Sequence, residues 1–237
     1  MKKWLKYVLG ILAFITVISV VGIRQLTYAP TPAAELAAQK AVTENYVSIF
    51  EAEQDDSPAI VLYQGGFVEQ NAYAPLASQL AEAGFTVYLI DTPLNLPVLA
   101  EQRGLAVVED YQLTDVTFMG HSLGGVIAAN NAAALVDSGK VAGLVLLASY
   151  LAGSTDLSEV TFPVLSVTAS EDKVLNWEAF EAATKLLPPD TTYDEIEGGN
   201  HSGFGDYGRQ EKDGQATISS AEQRELIVDL VVKNFPY

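Results

Sequence analysis

Apolar residues are distributed along this chain in two alternating patterns. Short runs rich in β-branched and aromatic side chains occupy residues 46–50, 59–63, 85–90, 116–119, 141–148 and 162–167, and a more polar run follows at 191–196. Runs with no polar alternation predict strands buried on both faces. Between them apolar positions recur at helical spacing. Leu76, Leu80 and Ala83 mark a helix over 73–83 that Gly84 stops. Leu96, Leu99 and Leu105 mark the inward face of another over 95–110, with Pro97 near its start and Gly104 inside it. Further helices are expected at 126–135, at 177–187 before Pro188-Pro189, and from the overlapping capping boxes Ser219/Glu222 and Ser220/Gln223 through Val232. Strands alternating with helices predict an α/β fold, a mostly parallel sheet covered by helices on both faces with right-handed crossovers. Functional groups then belong at the carboxyl ends of the strands.

One junction sets the chemistry. Val116-Thr117-Phe118-Met119 runs into Gly120-His121-Ser122-Leu123-Gly124, and an Ala-rich helical pattern follows. Gly-x-Ser-x-Gly between a strand and a helix is the pattern of a nucleophile elbow. The serine there has a strained backbone, and its neighbours two residues away must be small for strand and helix to pass closely.

The N-terminus changes the picture again. Lys2, Lys3 and Lys6 precede an uncharged apolar run over residues 7–23, and Arg24 follows it. Residues 1–29 read as an uncleaved signal anchor. About 26 Å of helix is somewhat short for a hydrocarbon core, but Trp4, Leu5 and a snorkelling Lys6 extend it. The charge asymmetry puts the N-terminus in the cytoplasm and the domain outside the cell membrane; cleavage would make the domain secreted. Residues 30–45 are expected to be a Pro/Ala-rich spacer or first helix, and residues 46–237 one domain. Against 13 basic residues, four of them before residue 30, stand 30 acidic ones, all later in the chain. Such a surface favours solubility and repels nucleic acid. With no Cys there are no disulfides, thiolate metal sites or Cys nucleophiles. Two His and no clustered ligands leave metal chemistry unsupported, and no Gly-rich phosphate loop points to a nucleotide, so no cofactor is expected.

A serine hydroxyl needs a base within reach, and the base needs an acid to fix its tautomer. His121 adjoins the nucleophile in the elbow strand and so points away from it. This leaves His201, in the Gly-rich loop Glu197-Gly198-Gly199-Asn200-His201-Ser202-Gly203. Asp172, after the strand 162–167, is the preferred acid; Glu171 and Asp91 compete with it. An oxyanion needs backbone N–H donors. Leu123 supplies one, and Gly66 or Phe67 in Gln64-Gly65-Gly66-Phe67 the other.

Gly65-Gly66-Phe67-Val68, Ala72-Tyr73-Ala74-Pro75-Leu76-Ala77, Leu80-Ala81-Glu82-Ala83-Gly84-Phe85, Pro93-Leu94-Asn95-Leu96, Gly120-His121-Ser122-Leu123-Gly124-Gly125 and Gly198-Gly199-Asn200-His201 together resemble the alpha/beta hydrolase superfamily, and most of all the lidless bacterial alpha/beta-hydrolase fold family 5. The resemblance covers about residues 59–235. It implies a Ser122, Asp172, His201 triad acting on a small acyl substrate. Gln64 stands where related chains often carry Pro or His, and the short 149–161 connection lacks a cap domain. The expectation is a membrane-anchored, extracytoplasmic serine hydrolase cleaving short or accessible carboxylic esters. Lactone, dienelactone or thioester hydrolysis or acyl transfer on the same triad, and a non-catalytic envelope-binding domain, are the alternatives.

Overall fold

A computed structural model describes residues 26–54 and 57–236, together with Trp4 and Gly22. Most of the expected anchor therefore lies outside the described residues. Among these no helix is long and apolar enough to cross a membrane.

An eight-stranded sheet forms the centre. Its strands are β1 (Val42–Glu44), β2 (Val47–Phe50), β3 (Ala59–Tyr63), β4 (Thr86–Ile90), β5 (Val116–His121), β6 (Val141–Leu147), β7 (Val164–Ala169) and β8 (Thr192–Ile196), in the order β1-β2-β4-β3-β5-β6-β7-β8. From β4 to β8 all pairings are parallel, whereas β1 and β2 pair antiparallel with each other and β2 with β4. The unbroken apolar runs have the predicted cause. Along β3 every residue is buried, with Ile60 and Leu62 facing one core and Val61 and Tyr63 the other. Helices α2 (Ala74–Glu82) and α6 (Ser220–Asn234) fill the first core with Leu76, Leu80, Ile227 and Val231. Helices α3 (Glu101–Asp110) and α4 (Leu123–Ala134) fill the second with Val107, Ile127, Ala128 and Ala132. The capping box on α6 forms as expected from Ser219 and Glu222. A short helix, α5 (Trp177–Ala183), follows β7.

Two stretches differ from the sequence reading. Residues 30–45 hold α1 (Pro32–Ala38), the first helix that the sequence allowed there, with Ala34 fully buried, and then β1, which it did not lead one to expect. Even before them, Tyr28 donates its N–H to the Phe67 carbonyl (2.7 Å), accepts from Glu69 N (3.0 Å) and places its ring 5.5 Å from that of Tyr207. The helix expected over 95–110 begins only at Glu101. Leu94 and Asn95 adopt positive φ, and 93–99 forms two 3-10 turns instead. Pro97 pushes the residue before it out of the helical region, and Leu96 is extended (φ −120°, ψ 101°); Leu99, expected inward, is exposed. Gly104 is needed where it stands. Its N–H donates to the Tyr63 hydroxyl at 2.7 Å, and a Cβ there would meet that hydroxyl at 2.6 Å.

The carboxyl edge of the parallel strands therefore carries, in spatial order, the 91–99 loop, the 64–69 loop, the turn at Ser122, the 148–163 connection, the 170–176 loop and the 197–205 loop. No helix or strand occurs between β6 and β7, and Ala148, Ser149 and Tyr150 of that connection line the cleft beside Ser122.

Candidate active site

Ser122 sits between β5 and α4 with φ 52° and ψ −121°, a backbone conformation that costs on the order of 1–3 kcal/mol and persists because its surroundings enforce it. Ser122 N donates to Leu147 O (2.9 Å) and Ser122 O accepts from the Ser149 hydroxyl (2.7 Å), tying the turn to β6. Both flanking glycines are sterically required. A Cβ on Gly120 would run into the Gly124 backbone, and one on Gly124 into the backbone carbonyls of Gln64 and Tyr63 (2.7 Å for the latter).

The acid and the imidazole meet. His201 Nδ1 lies 2.8 Å from Asp172 Oδ2, both side chains almost wholly buried. The other carboxylate oxygen, Oδ1, accepts from Val174 N and Leu175 N at 2.8 Å each, so Asp172 is aimed by its own loop. Trp177 Nε1 donates to the Asp172 carbonyl. Neither competitor comes close to this arrangement. Glu171 contributes its N–H to Gly199 O, and Asp91 follows β4, two strands from the β5 that carries Ser122. Ser122 and His201 line one cleft of about 220 Å³ with Leu123, Val126, Tyr150 and Leu175. No hydrogen bond joins the Ser122 hydroxyl to the imidazole in this state; such bonds commonly tighten only with substrate present.

The 64–69 loop separates the two amides expected as donors. Phe67, at φ 60°, commits its N–H to the Asn95 carbonyl at 2.7 Å, which corrects its expected role as an oxyanion donor. Gly66 N–H and Leu123 N–H have no partner among the described residues, and a Cβ on Gly66 would approach Leu123 Cδ2 to 3.1 Å. Gln64 explains how the loop holds without Pro or His. Its buried amide Nε2 donates to Val68 O (2.9 Å) and Asn95 Oδ1 (3.2 Å), closing the turn onto the 93–95 segment.

His121 lies under the site. The Tyr73 hydroxyl accepts from Gly65 N (2.9 Å) and is hydrogen-bonded to His121 Nδ1 (2.7 Å), while His121 Nε2 is buried with no partner among the described residues. Burial, and then the neighbouring His201 ring 4.6 Å away, hold the His121 pKa well below the usual histidine value. It packs as a neutral ring on Phe204.

Sequence reasoning missed Asp213. This carboxylate is buried and accepts from Ser202 N (2.8 Å), Ser202 Oγ (2.9 Å) and Gly214 N (2.8 Å), with longer bonds from His201 N and Lys173 N (3.4 Å each). It thus braces the histidine loop and the Asp172 loop together. Among so many acidic residues, nothing in its surroundings marked it; the only local signal is the following Gly214, which packs against the Glu171 carbonyl.

A doubly covered α/β sheet with a serine elbow and an Asp–His pair at its carboxyl edge defines the hydrolase class of such folds. The sequence profile of the alpha/beta hydrolase family matches residues 59–225, and the chain belongs to that family. Comparison with curated proteins found no match. Among solved structures it is similar to a predicted CIB-like hydrolase from Thermoplasma acidophilum (16% identity over 81% of this chain and 99% of that one, TM-score 0.62). It is also similar to a monoacylglycerol lipase from Paleococcus ferrophilus (18%, 81% and 100%, TM-score 0.61). A third is a thermophilic esterase from the Planctomycetes species Thermogutta terrifontis (14%, 79% and 86%, TM-score 0.58). At these identities the likeness concerns the fold.

Proposed function

We propose that this chain is a membrane-anchored, extracytoplasmic serine hydrolase of carboxylic esters, with Ser122 as nucleophile, His201 as base and Asp172 as the group that orients it. The 2.8 Å contact between His201 Nδ1 and Asp172 Oδ2, with Ser122 and His201 in one cleft, carries this reading. Asp172 holds the proton of His201 on Nδ1, leaving Nε2 free to take the proton of the Ser122 hydroxyl as its oxygen attacks the ester carbonyl carbon. The oxyanion that forms accepts from Leu123 N–H and Gly66 N–H. His201 returns the proton to the departing alkoxide, so an alcohol leaves and an acyl-serine ester remains. Water then repeats the sequence, releasing the acid and restoring Ser122.

A cleft of about 220 Å³ is smaller than the pockets that enclose drug-sized ligands. With no helix or strand between β6 and β7, this supports short acyl groups and accessible esters. The esterase and lipase among the similar structures agree with the ester class. The anchor rests on the apolar run 7–23 and the lysines before it.

Labelling by a fluorophosphonate tests the nucleophile. Wild type should label and hydrolyse short nitrophenyl esters; Ser122→Ala should not label, and His201→Ala should lose about 10⁴-fold or more in kcat. A folded wild type that neither labels nor hydrolyses overturns the proposal.

A further inference from the structure

The route by which the N-terminal segment joins the domain leads to the cleft. Tyr28 is hydrogen-bonded through Phe67 O and Glu69 N to the 64–69 loop, and Gly66 of that loop lies against Leu123, the residue after Ser122. Four residues lie between Ile23, the last residue of the apolar run, and Tyr28, and the five steps of chain span at most about 17 Å. Any bilayer holding that run is therefore within about 17 Å of the loop that edges the cleft.

The same edge presents apolar side chains to solvent. Leu94, Val98 and Leu99 are 45%, 48% and 54% exposed, all on the 93–99 turns that Asn95 ties to Phe67, and Leu26 at the start of the described chain is 61% exposed. On the other side of the cleft Trp177 is partly exposed at the start of α5. Indole rings favour the headgroup level of bilayers. Three aliphatic residues within six positions, where the helix expected from the sequence would have turned Leu99 inward, thus keep about half of their surface in solvent. The backbone that exposes them is specified by positive φ at Leu94 and Asn95 and by Pro97.

We propose that Leu94, Val98 and Leu99, with Leu26, rest on the lipid surface that holds the anchor, so that the cleft opens toward the membrane and its substrates are amphiphilic esters carried in that bilayer. This rests on the anchored reading of residues 7–23. Asp91, Glu69 and Glu211 share the edge with Arg209 and Lys212, and the chain is acidic as a whole. The surface that fits is consequently zwitterionic, since anionic lipid would be repelled. An ester lying at headgroup level reaches Ser122 without a lid having to open.

The absence of Cys makes single-site labelling direct. Full-length chains carrying Leu99→Cys, Val98→Cys, Val136→Cys or Ala13→Cys, each labelled with a nitrobenzoxadiazole dye, are reconstituted in phosphatidylcholine vesicles with and without a shallow nitroxide lipid. Val136 lies exposed at the opposite, amino edge of the sheet. Quenching at 98 and 99 but not at 136 supports the proposal. No quenching at 98 and 99, or equal quenching at 136, overturns it. In the first of those cases, quenching at 13 shows that the anchor stands and only the docked edge fails, whereas none at 13 removes the anchor as well. In parallel, the combined Leu94→Asp, Val98→Asp, Leu99→Asp variant should hydrolyse a vesicle-borne ester about tenfold more slowly while its turnover of soluble nitrophenyl acetate is unchanged. An equal loss on both esters, or on neither, overturns the lipid role.

Discussion

Asp213→Asn isolates the brace that the sequence did not reveal. The substitution keeps shape but turns one acceptor oxygen into a donor. Oδ2 accepts from both Ser202 N and Ser202 Oγ, while Oδ1 accepts from Gly214 N and, at longer range, from His201 N and Lys173 N. If the amide nitrogen takes the Oδ1 place, it faces backbone donors only. If it takes the Oδ2 place, it can donate to Ser202 Oγ but leaves Ser202 N–H buried and unpaired. The second arrangement is the cheaper. It loses two charge-assisted hydrogen bonds, each contributing about 1.5–3 kcal/mol, recovers one neutral bond of about 1 kcal/mol, and orphans one donor at about 1–3 kcal/mol. The expected loss is about 3 kcal/mol or more, a large part of the 5–15 kcal/mol typical of a domain. His201 hangs on the same loop, and a displacement of about 1 Å at a reacting group can lower turnover about a hundredfold. Urea unfolding at pH 7.5 gives the first quantity, and nitrophenyl ester kinetics on the folded variant the second, with the fall in kcat rather than KM. A loss below about 0.5 kcal/mol with kcat intact would refute the bracing role.

Three other outcomes are expected. His121 stays neutral in the fold while an unfolded chain protonates it near pH 6.5, so its depressed folded pKa makes stability fall as pH drops below that value. Stability should therefore fall between pH 7.5 and 5.5; urea midpoints at the two pH values should show less of that fall in His121→Gln, and an equal pH response would show that the ring is accessible to protons in the native state. Gly104→Ala should cost about 1–3 kcal/mol because the methyl group overlaps the Tyr63 hydroxyl and Asn131, measured as a shift in thermal midpoint, and a neutral effect would mean that α3 moves freely on α4. Gln64→Leu should leave Val68 O and Asn95 without their partner and reduce kcat on short esters more than it reduces fluorophosphonate-free stability measured by urea; unchanged kcat would disconnect the 64–69 loop from the oxyanion.

Steric necessity is what made the elbow readable. Gly120 and Gly124 have no room for a Cβ, so the requirement appears directly as a residue type around Ser122. The parallel strands were equally plain, because burial on both faces leaves no polar alternation. Asp172 and His201 were preferred from chain order and strand ends, and the geometry of the 170–176 turn is what sets Asp172 apart from Glu171. Other features depend on contacts far apart in sequence. Asp213 is one acid among many until the fold brings Ser202, Lys173 and Gly214 to it. β2 was read from residues 46–50, but β1 escaped notice because its three exposed residues carry no hydrophobic pattern; its one local signal was Asn45, which takes the positive φ of the turn. The 93–99 turns contradicted a helical spacing that was present, since Pro97 and two left-handed residues outweighed it.

The sheet's two outer strands deserve a different reading from the inner ones. At one margin β1 has only three residues, all exposed, and at the other β8 reads Thr192-Tyr193-Asp194-Glu195-Ile196, with two carboxylates in its middle. Unpaired strand margins invite another chain to add itself, and brevity and charge are the usual deterrents. A ninth strand laid beside β8 would have to pass two negative charges while approaching from a protein that is itself strongly acidic. Part of the acid surplus thus guards against edge-to-edge aggregation.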